Sequence, residues 1–172
     1  MKDVRPTSGR VLSALFSILG GVDGVSFLDL FAGTGRVGLE ALKRGASPVV
    51  MVETLKDRAR VIERAIPEDR AVDAVVLSLE FRRAVAWLVR RELMFDVVFA
   101  DPPYSDGWGA LLLHSKNLEK ILKREGVVIV EHASREALDV PPPWAVTDVR
   151  AYGETALTFI KRNLENSGGI PS

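Results

Sequence analysis

The tetrapeptide Asp101-Pro102-Pro103-Tyr104 follows an apolar run, residues 95–100, and has the residue types of an amine-binding site. The run is rich in β-branched and aromatic residues, which predicts a buried strand, and open parallel sheets bind ligands at the carboxyl ends of their strands. Two prolines fix the backbone and remove two N–H donors, so a carboxylate stands beside a rigid carbonyl. These two acceptors can hold both hydrogens of an exocyclic amine, and Tyr104 offers a face for base stacking. The alternative is a strand-ending turn in which Asp101 only caps a backbone N–H.

A glycine-rich turn lies far upstream, after the apolar segment 25–31. Gly33, Gly35 and Gly38 form a G-x-G-x-x-G pattern that follows a predicted strand and opens a predicted helix, which is the context that this pattern requires. The glycines permit a tight turn and the close approach of a ligand to the backbone. Glu53 follows the next predicted strand, about 20 residues after the turn, where an acidic residue commonly binds two ribose hydroxyls. The pattern predicts a nucleoside cofactor, and for Glu53 the alternative is a carboxylate that caps the next helix.

The composition excludes several classes of function. Among 172 residues, 23 are acidic and 23 are basic, so the net charge does not favour nucleic-acid binding, although a local basic patch is compatible with it. The absence of cysteine excludes disulfides and thiolate metal sites, and with only His114 and His132 no metal site is predicted. His132 is expected at a strand end rather than in catalysis. No apolar run reaches the roughly 20 residues of a membrane helix and no signal sequence is visible, so a cytoplasmic protein is expected.

Strands and helices are predicted to alternate along the chain. The predicted strands are 25–31, 49–52, 74–77, 95–100, 126–130, 145–150 and 155–160. The predicted helices begin at residue 7 or 8 and after the glycine turn, and cover about 56–66, 81–91 and 111–123. Alternation followed by a terminal hairpin predicts a doubly wound α/β sheet in one domain, residues 1–162. Residues 1–24 are expected to form an N-terminal helical extension, and the polar segment 163–172 is expected to be disordered.

Two further groups of residues are candidate contacts for a ligand. Arg5 and Arg10 flank the start of the first helix and could bind a phosphate or a cofactor carboxylate, although for either one alone a surface charge is the simpler interpretation. Ser78, Leu79 and Glu80 follow the third predicted strand, where an adenine could bind.

With these motifs the chain resembles the class I S-adenosylmethionine-dependent methyltransferases. More narrowly, it resembles the RsmD-type family, bacterial enzymes that methylate the exocyclic amine of a guanine in 16S ribosomal RNA. The residues that carry the resemblance are Arg5-Pro6-Thr7 with Arg10 and the segments 28–35, 38–41, 101–104 and 152–155. The glycine turn and Asp-Pro-Pro-Tyr are typical of amine methyltransferases in general, whereas the opening Arg-Pro-Thr and the Tyr-Gly ending narrow the resemblance to this family.

The resemblance implies a Rossmann-like fold with a seven-stranded, mostly parallel sheet whose last strand is antiparallel. It implies S-adenosylmethionine as the cofactor and no metal. The implied cofactor-binding residues are Asp29, Phe31, Ala32, Gly33, Thr34, Gly35, Glu53, Ser78 and Leu79, with Asp29 near the ammonium group. The implied catalytic residues are Asp101, Pro102, Pro103 and Tyr104. The implied substrate-binding residues are Arg5, Thr7, Arg10 and Tyr104.

The resemblance also implies a partner, either ribosomal RNA or a small-subunit particle, and a monomeric enzyme. The target guanine would leave its stack, Asp101 and the Pro102 carbonyl would accept the two N–H bonds of its amine, and Tyr104 would stack on the ring. Transfer would then depend on positioning and electrostatics.

Other interpretations fit part of the sequence. The same chemistry could act on DNA adenine or another RNA, although the chain has no separate segment for DNA recognition. The glycine turn and Glu53 also fit a nicotinamide-dependent oxidoreductase, in which Asp-Pro-Pro-Tyr would have no role. The short lead-in before Arg5 and Leu79 are the reasons to consider a non-catalytic RNA-binding or assembly module, because the family usually has a basic segment and an acidic residue at these two places. Against it, both motif stretches are intact, and a module without catalysis would not need Asp101.

Overall fold

The computed structural model describes residues 7–103 and 107–164 and arranges them around one seven-stranded sheet. The strands are β1 Phe27–Asp29, β2 Val49–Val52, β3 Ala74–Leu77, β4 Phe95–Ala100, β5 Leu122–Ala133, β6 Trp144–Tyr152 and β7 Thr155–Arg162. Their order in the sheet is β3-β2-β1-β4-β5-β7-β6. Strands β1 to β5 are parallel, and β7 is antiparallel to both of its neighbours. The predicted fold class is therefore confirmed, including the antiparallel last strand.

Helices cover both faces of the sheet. They are α1 Gly9–Leu19, α2 Arg36–Lys43, α3 Lys56–Ala65, α4 Phe81–Arg90, α5 Trp108–Leu113 and α6 Lys116–Ile121, with a short 3-10 helix at Glu68–Asp73. Within the described ranges, none of the helices is long and apolar enough to cross a membrane.

The alternation of side chains along β4 divides the interior into two cores. Val98 packs with residues of α4 and α6, whereas Val97 and Phe99 pack with residues of α1 and α2. Because both faces are buried, the central strands are continuous apolar runs, as parallel sheets require. Their polar ends are consequently the places where chemistry can occur.

The predicted N-terminal helix is confirmed. Ser8 is the N-cap of α1 and accepts a hydrogen bond from the Val11 backbone N–H at 3.3 Å. Gly20 ends the helix in the left-handed conformation, with φ of 72°. This helix places Thr7 at the carboxyl edge of the sheet, as described below.

Other element boundaries differ from the predictions. The predicted helix 111–123 is two short helices that end at Ile121, because Leu122 is fully buried and pairs with Phe95 as the start of β5. The first strand is shorter than 25–31, and the closing strands are longer than 145–150 and 155–160. The 3-10 helix before β3 was not predicted. Of the expected disordered tail, only residues 163 and 164 lie within the described residues.

Candidate active site

Acidic side chains stand at the carboxyl ends of neighbouring strands. Asp29 is the last residue of β1, Glu53 follows β2, Asp101 follows β4, and Glu131 lies near the end of β5. Asp29, Glu53 and Glu131 are buried, and Asp101 is half-buried. Carboxylates this close to one another in a dry environment are costly, so their positions require a function or a compensating partner.

The register of the sheet brings these carboxyl groups onto one face. Asp29 lies opposite Phe99, and Asp101 is two residues farther along, so both point to the α1 and α2 side of the sheet. Between β4 and β5 the last matched pair is Ala100 with Val130. Asp101 and Glu131 are thus the next residues along two adjacent strands, which lie about 4.8 Å apart in a sheet.

Burial and mutual repulsion raise the pKa of three of these groups. Burial raises the pKa of Asp29 to about 7, with smaller contributions from the charges of Glu131 and Glu53, although the backbone N–H groups of Gly38 and Phe31 lower it. Burial, then the charges of Glu131 and Asp29, also raises the pKa of Asp101. Burial raises the pKa of Glu131, against a hydrogen bond from Thr7 that lowers it. The site therefore favours a ligand that brings positive charge or hydrogen-bond donors.

Asp29 is bonded through one oxygen only. Its Oδ2 accepts a hydrogen bond from the Gly38 backbone N–H at 3.1 Å. Its Oδ1 is buried and has no hydrogen-bond partner among the residues that the structure describes. An unpartnered buried carboxylate oxygen is costly, which fits a site completed by a donor from a bound molecule.

The glycine turn lies against this carboxylate. Gly33 and Gly35 adopt left-handed backbone conformations, with φ of 56° and 78°, and the Gly35 N–H donates to the Ala32 carbonyl at 2.7 Å. A Cβ atom on Gly38 would lie 2.4 Å from Cγ of Met51, so this glycine allows α2 to pack closely on β2. The predicted turn thus has the tight backbone and the close helix–strand packing of a nucleotide-binding turn.

Two clefts open at this edge of the sheet. The first, here called the glycine-turn cleft, has an empty volume of about 350 Å³ and is lined by Thr7, Asp29, Phe31, Ala32, Gly33, Thr34, Arg36, Val37, Phe99 and Asp101. The second, here called the proline cleft, has an empty volume of about 560 Å³ and is lined by Pro102, Pro103, Gly107, Gly109, Val130, Glu131, His132, Glu136, Ala137, Leu138 and Asp139. The two clefts are lined by consecutive residues of the chain, because Asp101 lines the first and Pro102 lines the second.

Thr7 and Glu131 form the boundary between the clefts. The Thr7 hydroxyl donates a buried hydrogen bond to Oε2 of Glu131 at 3.0 Å. The Thr7 carbonyl accepts a hydrogen bond from Nη1 of Arg36 at 2.7 Å. Thr7 was predicted as a substrate-binding residue. The structure places it in the lining of the glycine-turn cleft, with its hydroxyl already bonded.

The Glu53 carboxylate bonds to the backbone at the start of α3, which is close to the helix-capping role given as its alternative. Its Oε1 accepts a hydrogen bond from the Leu55 N–H at 2.8 Å, at the start of α3. Glu53 is nevertheless on the same face as Asp29, because Met51 lies opposite Asp29 and Glu53 is two residues farther along. A ribose contact through the rest of the carboxylate stays a prediction.

The candidate residues that follow β3, namely Ser78, Leu79 and Glu80, line neither cleft. Leu79 packs against the core, Ser78 is exposed, and Glu80 caps α4 by accepting from the Arg82 N–H at 3.0 Å. Arg10 is exposed, and its guanidinium lies 6.0 Å from the ring centre of Tyr152. The predicted contacts at Arg5 and Tyr104 lie outside the described residues.

Glu131 and Arg36 were missed as site residues. Arg36 occupies a variable position of the glycine pattern, so its type carried no signal. Glu131 directly follows a continuous apolar run, as Asp101 does, and that parallel could have identified it. The next residue, His132, has ring nitrogens that lie 2.7 Å from Oγ1 of Thr158 and 3.0 Å from the Ala133 carbonyl, within the strand pair of β5 and β7. Within 7–103 and 107–164, no group of three His, Asp or Glu residues is arranged to hold a metal ion.

Comparison with known proteins identifies relatives over nearly the whole chain. The family model described as "Conserved hypothetical protein 95" matches residues 1–161. The chain is 29% identical to ribosomal RNA small subunit methyltransferase D of Escherichia coli strain K12 over 167 residues, covering 94% of this chain and 81% of that protein. It is 28% identical to the protein of the same name from Haemophilus influenzae over 156 residues, covering 87% of this chain and 79% of that protein. The solved structure of yhhF from Escherichia coli, named as a methyltransferase, superposes with a TM-score of 0.78 at 26% identity, covering 95% of this chain and 92% of that one.

Proposed function

Because this chain belongs to the conserved hypothetical protein 95 family of RsmD-type methyltransferases, we propose that it transfers a methyl group from S-adenosylmethionine to the exocyclic amine of a guanine in 16S ribosomal RNA. Its relatives in Escherichia coli and Haemophilus influenzae are named as ribosomal RNA small subunit methyltransferases. The observation that carries the proposal is that Asp101 lines the glycine-turn cleft and the next residue, Pro102, lines the proline cleft. A cofactor in one cleft and a base in the other would meet at this carboxylate.

The residues of the glycine-turn cleft fit S-adenosylmethionine. This cofactor supplies a methyl group that a sulfonium has already activated. The unpartnered Oδ1 of Asp29 would accept a hydrogen bond from the cofactor's ammonium group. The backbone of Ala32, Gly33, Thr34 and Gly35 would lie against the methionine part, where the absence of glycine side chains allows a close approach. Phe31 would contribute to the wall, and Glu53 would hold the ribose.

The residues that follow β4 fit an exocyclic amine. The Asp101 carboxylate accepts no hydrogen bond from the residues that the structure describes, so its oxygens are available to a substrate N–H. The Pro102 carbonyl would accept the second N–H, because the two prolines hold the backbone rigid at this point. Holding both hydrogens favours a pyramidal nitrogen whose lone pair faces the methyl group. Because Asp101 would bind the amine, it is also the nearest acceptor for the proton that leaves it. Its raised pKa makes this carboxylate a stronger base than an ordinary aspartate.

The proposed substrate is the ribosomal RNA of the small subunit, alone or in a particle, and the enzyme would act in the cytoplasm as a monomer. Thr7 lines the glycine-turn cleft, and Arg10 lies beside Tyr152 at the end of β6. With Arg5 and Tyr104, they are our candidates for contacts with the RNA. Their hydroxyl, guanidinium and ring are the groups that proteins use for phosphate contacts and for base stacking.

Two measurements test this function. The first is isothermal titration of the full chain with S-adenosylmethionine and, separately, with NAD. The second is transfer of a labelled methyl group to deproteinised 16S ribosomal RNA and to small-subunit particles that lack the modification, followed by digestion to nucleosides. We expect saturable binding of S-adenosylmethionine alone and a single labelled product, N2-methylguanosine. Binding of NAD alone would overturn the methyltransferase assignment, and labelled N6-methyladenosine would overturn the choice of guanine. Binding of RNA without any affinity for S-adenosylmethionine would indicate a non-catalytic module.

A further inference from the structure

Glu131 is a buried carboxylate that the amine clamp does not use. It is 4% exposed and lies in the lining of the proline cleft together with Pro102 and Pro103. Across the strand it stands beside Asp101, because the pair before them in the register is Ala100 with Val130. A second carboxylate therefore borders the place where the target base would lie.

One oxygen of Glu131 is fixed and the other is available. Oε2 accepts the Thr7 hydroxyl at 3.0 Å, and this bond sets the orientation of the carboxylate. Oε1 accepts no hydrogen bond from residues 7–103 and 107–164. A carboxylate offers about four lone-pair sites, so the pair with Thr7 leaves acceptor capacity directed away from that residue.

The Watson–Crick edge of guanine matches two neighbouring acceptors. Its exocyclic N2 amine is adjacent to the N1–H group, so two donor groups stand side by side. The corresponding edge of adenine presents an amine next to an unprotonated N1, which is an acceptor. Two carboxylates in a row would complement guanine and would oppose the N1 lone pair of adenine.

We propose that Glu131 selects guanine by accepting a hydrogen bond from its N1–H group while Asp101 and the Pro102 carbonyl hold its amine. This inference depends on the proposed function, since it concerns the base that enters the same site. Glu131 then acts as a specificity-determining residue, and Thr7 acts as the residue that positions it. The bond between them accounts for the burial of the Thr7 hydroxyl against β5.

The test compares guanine with 2-aminopurine at the methylated position. 2-Aminopurine keeps the exocyclic amine at C2 but has an unprotonated N1, so it removes the donor that Glu131 would bind. After the methylated nucleotide has been mapped with the wild-type enzyme, small-subunit particles are assembled from 16S RNA that carries either base there. We expect the wild-type kcat/KM for guanine to exceed that for 2-aminopurine by about 10- to 100-fold, the range of one well-formed base contact.

The variant Glu131→Gln separates recognition from the other differences between the bases. A glutamine amide can present either its oxygen or its NH2 group to N1, so we expect the guanine preference to fall at least about tenfold. The matched control is Glu125→Gln, the same change at an exposed residue of β5 that lines neither cleft. Its ratio of guanine to 2-aminopurine should equal that of the wild type.

The outcomes separate this inference from the proposed function. If the wild type forms N2-methylguanosine and Glu131→Gln binds S-adenosylmethionine but keeps the wild-type ratio, Glu131 does not read the base and the inference is wrong. If Glu131→Gln does not fold, the wild type alone decides, because equal rates on guanine and 2-aminopurine would also overturn the inference. If the wild type neither binds S-adenosylmethionine nor methylates any RNA, the proposed function fails and the inference fails with it.

Discussion

The Thr7 hydroxyl and the Glu131 carboxylate are joined by a buried hydrogen bond of 3.0 Å that spans 124 positions of the sequence. Thr7 is held a second time, because its carbonyl accepts a hydrogen bond from Arg36 at 2.7 Å. Thr7, which precedes α1, thus connects the end of β5 with the start of α2. The shape of the boundary between the two clefts depends on this N-terminal residue as much as on the central strands.

Replacement of Asp101 by asparagine should abolish catalysis and preserve cofactor binding. The amide NH2 would face the hydrogens of the substrate amine, and the proton acceptor would be lost. We expect kcat to fall by about 100- to 10,000-fold, while the Kd for S-adenosylmethionine changes little. Single-turnover methyl transfer and isothermal titration measure the two effects. Asp57→Asn, the same change at an exposed position on α3, is the control, and full turnover by Asp101→Asn would refute the amine clamp.

Replacement of Asp29 by asparagine should weaken cofactor binding without lowering the stability of the cofactor-free protein. The side-chain carbonyl can still accept the Gly38 N–H, but the negative charge that would meet the cofactor ammonium is lost. We expect the Kd for S-adenosylmethionine to rise about 10- to 100-fold, the range for a hydrogen bond to a charged group. The cofactor-free protein should be no less stable at pH 8, because a costly buried charge is removed. A Kd equal to that of the control Asp69→Asn, which changes an exposed residue, would contradict this role.

The cofactor-free protein should lose stability as the pH rises from about 5 to 8. The folded-state pKa of Asp29 is raised from 3.8 to about 7, and that of Asp101 is also raised. In this window the folded state therefore binds more protons than the unfolded state, so the stabilisation is complete below the unfolded pKa and is lost as pH rises through the folded pKa. The whole shift of Asp29 corresponds to about 4 kcal/mol, and the part that falls between pH 5 and the folded pKa is on the order of 3 kcal/mol.

Urea unfolding at pH 5, 6, 7 and 8 without cofactor measures this loss. Carboxyl groups with lowered pKa, such as Asp73, Asp96 and Asp148, act in the opposite sense, but only in the acid range below this window. In Asp29→Asn the decline should be clearly shallower. A free energy of unfolding that stays constant or rises from pH 5 to 8 would show that these carboxyl groups ionise as readily as in the unfolded chain.

Replacement of Gly38 by alanine should destabilise the fold. The new methyl group would lie 2.4 Å from Cγ and 2.6 Å from Sδ of Met51, so α2 would have to move away from β2. We expect a loss of about 1–3 kcal/mol in the free energy of unfolding, measured with urea. Gly9→Ala is the control, because its nearest neighbour is the flexible Arg36 guanidinium at 3.3 Å. Equal stability of the two variants would mean that the contact between α2 and β2 can adapt.

The central strands and the glycine turn could be predicted from the sequence because local patterns determine them. Strands β2, β3 and β4 have the predicted bounds, since each is a short, mostly apolar run that is followed by a polar residue. The position of Asp101 at a strand end followed directly. The split between α5 and α6 could not be predicted, because 111–123 has helical periodicity throughout and only tertiary pairing takes Leu122 into β5.

The contribution of Glu131 to the site depends on register, which a sequence does not encode locally. Only the pairing of β4 with β5 brings this carboxylate beside Asp101, and only the docking of α1 brings Thr7 to it. Glu53 illustrates the opposite limit. Its spacing from the glycine turn fits a ribose contact, and its distance from Leu55 fits a local backbone bond, so spacing alone could not separate the two roles.

The position of β7 between β5 and β6 also has a consequence for biosynthesis. Translation produces both of these strands before the one that separates them, so the edge of β5 stays unpaired until residues 155–162 have left the ribosome. Glu131 lies opposite Leu157, and its strand is completed only at that moment. We expect the nascent chain to be inactive until β7 has paired with β5.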